Sequence, residues 1–414
     1  MRAEKRRDPG QRLTMVVCLF YFSAFLLLFL RDFVWQGLAL AFAVPFTIFL
    51  SNRLLPKLFP ADGLLLALAH FLCALGILVL YDTNPAYAYS QTVSYGVSVA
   101  AMFFCVWAVR IVRSRRIPVF FLAVLSLGLL AAPLVFGREI YGAKNWIFVG
   151  SVSVQPSEVV KLSLLVVLAY CMARRRFWSW FLFALGCLGL LMLQKDLGTA
   201  LLYYSVGMLM FFASDGSVWI LAAGTLGGAG AAVMGFRMFA HVKRRVAIWR
   251  NPWANYDGAG YQLVQGLMAI ASGDLFGVGL GLGSPRTIPV YHTDFIYAVI
   301  CEQFGMIFGL CVLAIYVALV WRGATIAMAA RHSFHGLLAL GATLMLGLQT
   351  FVIIGGVLKL IPLTGVTLPF ISYGGSSLVS SMCLIGLIQG VASLNEDDLM
   401  EDTEIALGRE EMSM

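Results

Sequence analysis

Charge is scarce in this sequence: only 12% of its 414 residues are Asp, Glu, Lys or Arg, where a soluble globular chain carries about a quarter. With 60% hydrophobic residues and a mean hydropathy of +0.87, a water-soluble fold is excluded. CxxC pairs are missing as well. Cys18, Cys73, Cys105, Cys171, Cys187, Cys301, Cys311 and Cys383 all lie within or beside apolar runs. Neither a disulfide framework nor a zinc site is therefore expected, and the thiols read as small buried hydrophobes. The long runs also lack period-two alternation, which excludes a transmembrane β-barrel.

What is present is a series of apolar runs at about 13–30, 33–51, 63–81, 92–110, 117–136, 157–173, 177–193, 197–213, 217–236, 295–320, 335–358 and 376–394. Runs of about 18 residues or more read as membrane-spanning helices. They predict an all-α polytopic membrane protein of about twelve spans. The first run follows Arg2, Lys5, Arg6, Arg7 and Arg12 but ends in Arg31-Asp32 rather than a small-residue cleavage site. It is read as a retained helix and not a signal peptide. The net charge of +8 sits mostly in short loops between the runs, which points to membrane lipids and not to nucleic acid.

Lys and Arg are distributed asymmetrically. With the N-terminus in the cytoplasm, the inside segments hold sixteen basic residues and the short outside loops five (Arg31, Arg138, Lys144, Lys195 and Lys359). The positive-inside rule then places both termini in the cytoplasm. The tail 395–414 is acidic and is expected to be disordered. One connection breaks the pattern of short loops. Residues 237–294 form a long outside loop, and long connections in compact folds are usually functional.

Several polar constellations stand in or near the apolar runs. Gln155-Pro-Ser-Glu-Val-Val-Lys161 puts Glu158 and Lys161 on one helix face, either as an internal ion pair or as a substrate-facing pair. Gln194-Lys-Asp-Leu-Gly-Thr199 is an outside hairpin in which Asp196 suits a helix cap. Lys144 suits a phosphate, and Trp146 an interfacial anchor. The long loop opens on Lys243-Arg244-Arg245, whose cations suit a phosphate or a pyrophosphate. It continues through a glycine-dense stretch, 273–283, where backbone can approach a ligand closely. It ends at Tyr291-His292-Thr293-Asp294-Phe295, with Glu302 two turns further on. Spacing alone makes Asp294 a helix cap. A carboxylate at the water–membrane boundary also suits general-base work. Pro362 to Ser377, which includes Ser372, Tyr373 and Ser376, is a non-helical run that must be buried or line a wet cavity.

Taken in order, the segments GAKNWI, QPSEVVK, KDLGTA, YQLVQGLMAIASGDLFGVGLGLGSP, HTDFIYAVICEQFG and IPLTGVTLPFISYGGSS resemble the SEDS family (shape, elongation, division and sporulation), the RodA/FtsW-like proteins, over about residues 63–394. The resemblance implies a ten-helix core at 63–394, preceded by a basic segment at 1–12 and an added transmembrane hairpin at 13–62. It implies a peptidoglycan glycosyltransferase of the bacterial cytoplasmic membrane, serving elongation, division or sporulation. Such an enzyme polymerises lipid II at the outer face, releases undecaprenyl pyrophosphate, and works with a class B penicillin-binding transpeptidase. Asp294 would be the catalytic residue. Lys144, Trp146, Glu158, Lys161, Arg244, Arg245, His292, Thr293, Ser372, Tyr373 and Ser376 are the expected substrate-binding residues. A divalent metal, Mg²⁺ or Mn²⁺, is a candidate cofactor for the leaving pyrophosphate.

Three positions depart from the family pattern: Asn145 where many members have Arg, Asp274 within a usual Gly-Gly pair, and Gln303 in place of the second acid of a Glu-Glu. Two rival functions remain open from sequence, a lipid II flippase and a non-catalytic scaffold for a transpeptidase. The outside placement of the polar motifs favours an enzyme over a transporter.

Overall fold

The structure is a computed structural model that describes residues 9–112, 118–140, 143–150 and 152–413. Arg2, Lys5, Arg6, Arg7, Arg113, Arg115, Arg116 and Gly142 lie outside the described residues. The helices are α1 (Pro9–Asp32), α2 (Trp35–Leu58), α3 (Gly63–Thr83), α4 (Pro85–Val112), α5 (Val119–Phe136), α6 (Pro156–Ala173) and α7 (Phe177–Leu193). They continue with α8 (Leu197–Asp215), α9 (Val218–Met238), α10 (Ala240–Arg250), α11 (Tyr261–Gly273), α12 (Ile296–Met328), α13 (Ser333–Val357) and α14 (Gly375–Ser413).

Eleven described helices are long and apolar enough to cross a membrane. The expected twelfth, α7, is apolar over 17 residues, about 26 Å at 1.5 Å per residue, close to the ~30 Å hydrocarbon layer. Helix is imposed on these runs because lipid offers no partner to a backbone N–H or C=O. The core lies around α3, α13 and α14, which are buried over most of their spans, while α9 exposes nearly all of its surface. Along the bundle α14 packs on α4, and α13 packs on α6, α8 and α12.

Two features differ from the sequence expectation. Three short strands follow α5: β1 (Arg138–Ile140), β2 (Ala143–Val149) and β3 (Val152–Val154), antiparallel in the order β1-β2-β3. Trp146, Ile147, Phe148 and Val149 favour a pleated surface, so a small sheet joins an otherwise helical fold. The acidic tail is not disordered, for α14 runs on through it as helix. Its Glu, Leu, Met and Ala are strong helix formers, and Arg110–Asp397 at 3.0 Å and Arg331–Asp402 at 3.3 Å tie it to the bundle.

The hairpin α1–α2 packs on α3. Tyr21 Oη donates to the Phe71 carbonyl at 2.8 Å, and Ser51 Oγ lies 2.9 Å from His70 Nε2, whose Nδ1 meets Tyr95 Oη at 2.7 Å. The connections α3–α4, α5–α6, α7–α8, α9–α12 and α13–α14 gather at one end of the bundle. They are bonded to one another: Lys144 N to Gln194 O at 3.1 Å, Arg286 Nη2 to Thr83 O at 3.2 Å and Trp249 Nε1 to Lys359 O at 3.0 Å.

Candidate active site

The His292-Thr293-Asp294 turn is set by Val290, which adopts φ +55°. Both Thr293 N and Thr293 Oγ1 donate to the Val290 carbonyl, at 3.2 and 3.4 Å. Phe295 is fully buried and lies on Gly266 of α11, where an added Cβ would come within 2.4 Å of its ring. The turn is thus pinned on both sides of Asp294, which remains half-buried.

A second segment clasps the turn. The non-helical stretch before α14 sends Ser372 Oγ to the Thr293 carbonyl at 2.6 Å and Tyr373 N to the His292 carbonyl at 2.9 Å. Ser372 Oγ also accepts from Leu368 N at 2.9 Å, which closes the turn on itself. Gln91 of α4 holds this stretch at two points, donating to Ser372 O at 3.1 Å and accepting from Gly374 N at 3.2 Å. The His292 ring stacks on Tyr87 with centroids 4.6 Å apart, and Tyr87 in turn lies 4.7 Å from Tyr373. Burial lowers the proton affinity of His292.

Arg245 of α10 reaches this place from the long loop. Its Nη1 donates to the Thr364 carbonyl at 2.6 Å. Gly365, at φ +75°, leaves the space: a Cβ there would sit 3.4 Å from Arg245 Nη2 and 3.9 Å from Asp294 Oδ2. Burial raises the Asp294 pKa above its ordinary value, while the Thr293 hydroxyl and the Arg245 charge pull it back. The result is a carboxylate with raised proton affinity beside a cation.

The cap expected for Asp294 is not observed. Asp62 accepts from Leu65 N at 2.7 Å and Asp196 from Thr199 N at 3.1 Å, so both cap helices. The first position before α12 is Phe295, and among the described residues no backbone N–H donates to the Asp294 carboxylate.

Other sequence candidates fall in different places. Glu158 and Lys161 form an internal pair: Lys161 Nζ donates to Glu158 Oε2 at 2.8 Å and to Gln349 Oε1 at 3.0 Å, and Ser380 Oγ donates to the same carboxylate. Lys161 is 1% exposed. This corrects the substrate-facing assignment, since each charge is already satisfied inside the bundle. The pair supports the site indirectly, because Gln349 Nε2 donates to Thr367 O at 2.9 Å in the clasping stretch. Lys144 Nζ donates to the Leu134 carbonyl at 2.8 Å, the C-terminal end of α5, and is thereby occupied. Trp146 is half-buried in β2, opposite Arg138, and Ser376 is half-buried in the first turn of α14. Arg244 is exposed on α10.

Residues overlooked in the sequence complete the neighbourhood. Asp196, besides capping α8, accepts from Asn145 Nδ2 at 2.9 Å and Gln155 Nε2 at 3.1 Å. Asn145 thus serves a carboxylate, where an Arg would add a charge. Burial lowers the proton affinity of Arg245 against the opposing pull of Asp294 and Asp196, and burial, then the Arg245 and Lys195 charges, lowers that of His241. The cap motif of Asp196 was visible in sequence, but nothing marked Tyr87 or Gln91.

Among the described residues no three His, Cys, Asp or Glu side chains converge on a metal position. Beside Asp294 a divalent ion would find one carboxylate and a guanidinium, so the remaining oxygen ligands would have to come from water and substrate phosphates.

The comparisons with known proteins agree with this architecture. A family model described as a cell cycle protein, FtsW/RodA/SpoVE, matches residues 61–397. The peptidoglycan glycosyltransferase RodA of Mycobacterium tuberculosis (strain H37Rv) is 38% identical over 272 residues, which is 61% of this chain and 58% of that relative. The chain thus spans less than two thirds of that relative's length. Stage V sporulation protein E of Bacillus subtilis (strain 168) is 32% identical over 360 residues, covering 80% of this chain and 96% of that protein. A solved chain from a peptidoglycan synthase complex that coordinates polymerization and crosslinking superposes with a TM-score of 0.69 at 30% identity, covering 81% of this chain and 98% of that one. With the family model matching residues 61–397 and its fold shared with a solved relative, this chain belongs to the FtsW/RodA/SpoVE family.

Proposed function

We propose that this protein is a peptidoglycan glycosyltransferase that polymerises lipid II at the outer face of the bacterial cytoplasmic membrane. The observation that carries this is Asp294: a half-buried carboxylate, free of any capping bond, pinned by two segments and placed beside Arg245. The names of the relatives, peptidoglycan glycosyltransferase among them, support the same reaction class. The outer placement rests on the Lys/Arg asymmetry of the loops, which puts the Asp294 end of the bundle outside.

In this reaction the Asp294 carboxylate accepts the proton of the acceptor 4-hydroxyl as that oxygen attacks the donor's anomeric carbon. The bond from that carbon to the pyrophosphate oxygen breaks, and undecaprenyl pyrophosphate leaves with the electron pair. A raised proton affinity suits Asp294 to take a proton in the transition state. Arg245, with exposed Arg244 next to it on α10, provides positive charge where the pyrophosphate charge develops. His292, packed on Tyr87, with Thr293, Ser372 and Tyr373, fixes the position of the base. Trp146 and Ser376 are proposed to line the sugar and lipid path. If Mg²⁺ or Mn²⁺ takes part, Asp294 supplies its carboxylate, and no step is assigned to the metal.

The partner proposed is a class B penicillin-binding transpeptidase, in keeping with the solved complex. The test is purified protein with lipid II in detergent, with and without a cognate transpeptidase, followed by separation of glycan products. Long glycan strands are expected, and Asp294→Asn is expected to make none while remaining folded. Polymerisation at the normal rate by Asp294→Asn would sink the base assignment. Lipid II transport without any polymer would favour the flippase.

A further inference from the structure

Asp294 stands at the start of a short rigid segment. Helix α12 is broken at Gly305, with φ +86° and ψ +167°, so the part from Ile296 to Phe304 is a half-helix of its own. It runs about 13 Å at 1.5 Å per residue. The clasp of Ser372 and Tyr373 holds its first end. Its other end is held by the glycine-dense stretch of the long loop: Val278 N donates to Glu302 O at 2.9 Å, Gly279 N to Gln303 O at 3.0 Å and Met306 N to Asp274 O at 2.9 Å. Glu302 Oε1 accepts from Ser284 N at 2.9 Å.

Side chains at that far end lead out of the family core. Gln303 Nε2 donates to Asp82 Oδ2 at 2.6 Å, and the other oxygen of Asp82 accepts from Arg31 Nη1 at 3.1 Å. Arg31 closes α1, in the added hairpin. The Asp82 side chain is 3% exposed, so its charge depends on that guanidinium. Gly281, at φ +79°, closes over the pair: a Cβ there would fall 1.7 Å from Arg31 Nη1 and 2.6 Å from Asp82 Oδ1. The glycine stretch is therefore shaped around Arg31 itself.

We propose that the added N-terminal hairpin is a positioning element for the active site, acting through Arg31, Asp82 and Gln303 on the half-helix that begins at Asp294. This rests on Asp294 being the catalytic base. Arg31 neutralises Asp82, Asp82 orients Gln303, and Gln303 fixes the rotation of the half-helix. The amide at 303 belongs to this arrangement. A carboxylate there would face Asp82 as a like charge, which a buried site does not tolerate.

The experiment measures kcat and KM for lipid II polymerisation on purified Arg31→Ala, Arg31→Lys, Gln303→Glu, Ser51→Ala and Asp294→Ala enzymes, per folded molecule by size-exclusion. A misplacement of 1 Å costs on the order of a hundredfold in rate, so a partial loss of registration is expected to lower kcat about tenfold. Arg31→Ala and Gln303→Glu are expected to show this with KM within about twofold, the tolerance that separates positioning from uniform binding. Arg31→Lys should retain most of the rate. Arg31→Ala with Asp82→Asn should recover part of it, because no buried charge is then left unpaired: Asp32, the other partner of Arg31 at 2.8 Å, is exposed. Ser51→Ala cuts a different tie of the same hairpin and is expected to leave kcat unchanged. Unchanged kcat in Arg31→Ala, with Asp294→Ala inactive, overturns the positioning role alone. An equal kcat loss in Ser51→Ala overturns it too, by showing that general loosening of the hairpin suffices. An active Asp294→Ala enzyme instead overturns the catalytic assignment on which it rests.

Discussion

Removing Arg245 should move the acidic limb of activity to higher pH. Arg245 Nη2 and Asp294 Oδ2 lie 3.4 and 3.9 Å from one point, the Cβ position of Gly365. They are thus on the order of 7 Å apart at most, and two unit charges at that distance interact by about 0.6 kcal/mol in water and about 2 kcal/mol at an effective dielectric constant of 20. Arg245 is exposed, so the lower part of that range applies. An interaction of that size makes the proton on Asp294 about threefold harder to remove once the cation is gone. The sign follows from the two protonation states. Burial already raises the pKa of Asp294, and the Arg245 cation opposes that rise by favouring the carboxylate. In Arg245→Ala the opposition is gone, the proton is held more tightly, and the base is lost at a higher pH. The assay is the pH profile of kcat/KM for lipid II polymerisation, read on wild type, Arg245→Ala and Arg245→Lys. The lysine variant keeps the charge and should keep the limb, while losing the bond to Thr364. A limb in Arg245→Ala that stays in place, or moves to lower pH, refutes the coupling of Asp294 to Arg245.

Two further outcomes test the frame around the site. Lys161→Ala leaves the Glu158 carboxylate buried without its cation and should destabilise the protein by about 3–5 kcal/mol, whereas Lys161→Met combined with Glu158→Gln should restore most of the melting temperature; thermal unfolding in detergent measures both. Gly305→Ala puts a side chain at φ +86°, 2.3 Å from the Leu275 carbonyl. The left-handed backbone alone costs about 1–2 kcal/mol, so this variant should melt lower and lose activity together, checked by unfolding and polymerisation on one preparation.

Much of the site was written in the sequence as motifs but not as contacts. Polar segments stood at the ends of apolar runs, and alternation of the runs placed HTDF, QPSE, KDLG and the Pro362–Ser377 segment at one end. Which of them touch was not legible. Glu158 and Lys161 share a helix face in any helix at that spacing, but only packing against α13 and α14 shows Gln349 and Ser380 completing the pair. The small sheet after α5 was missed because its strands are three to seven residues long and sit in a loop of mixed composition. The helical tail was missed because acidic composition outweighed the absence of a helix stop before Gly408, and because Arg110 and Arg331 come from distant segments.

The sequence by itself determined that the chain lives in a membrane as a helical bundle. Backbone polar groups find no partner in lipid, so each long apolar run has one solution whatever it packs against. It also determined which charges were worth attention, since few are present and each is costly at membrane depth. The surroundings of Asp294 were decided only by tertiary structure. Asp before an apolar helix caps it by default, and local spacing cannot say otherwise. The capping position before α12 falls one residue later, at Phe295, and the clasp of Ser372 and Tyr373 holds the turn. Arg245 arrives from about fifty residues away in sequence, and these long-range contacts leave a carboxylate of raised proton affinity beside a cation.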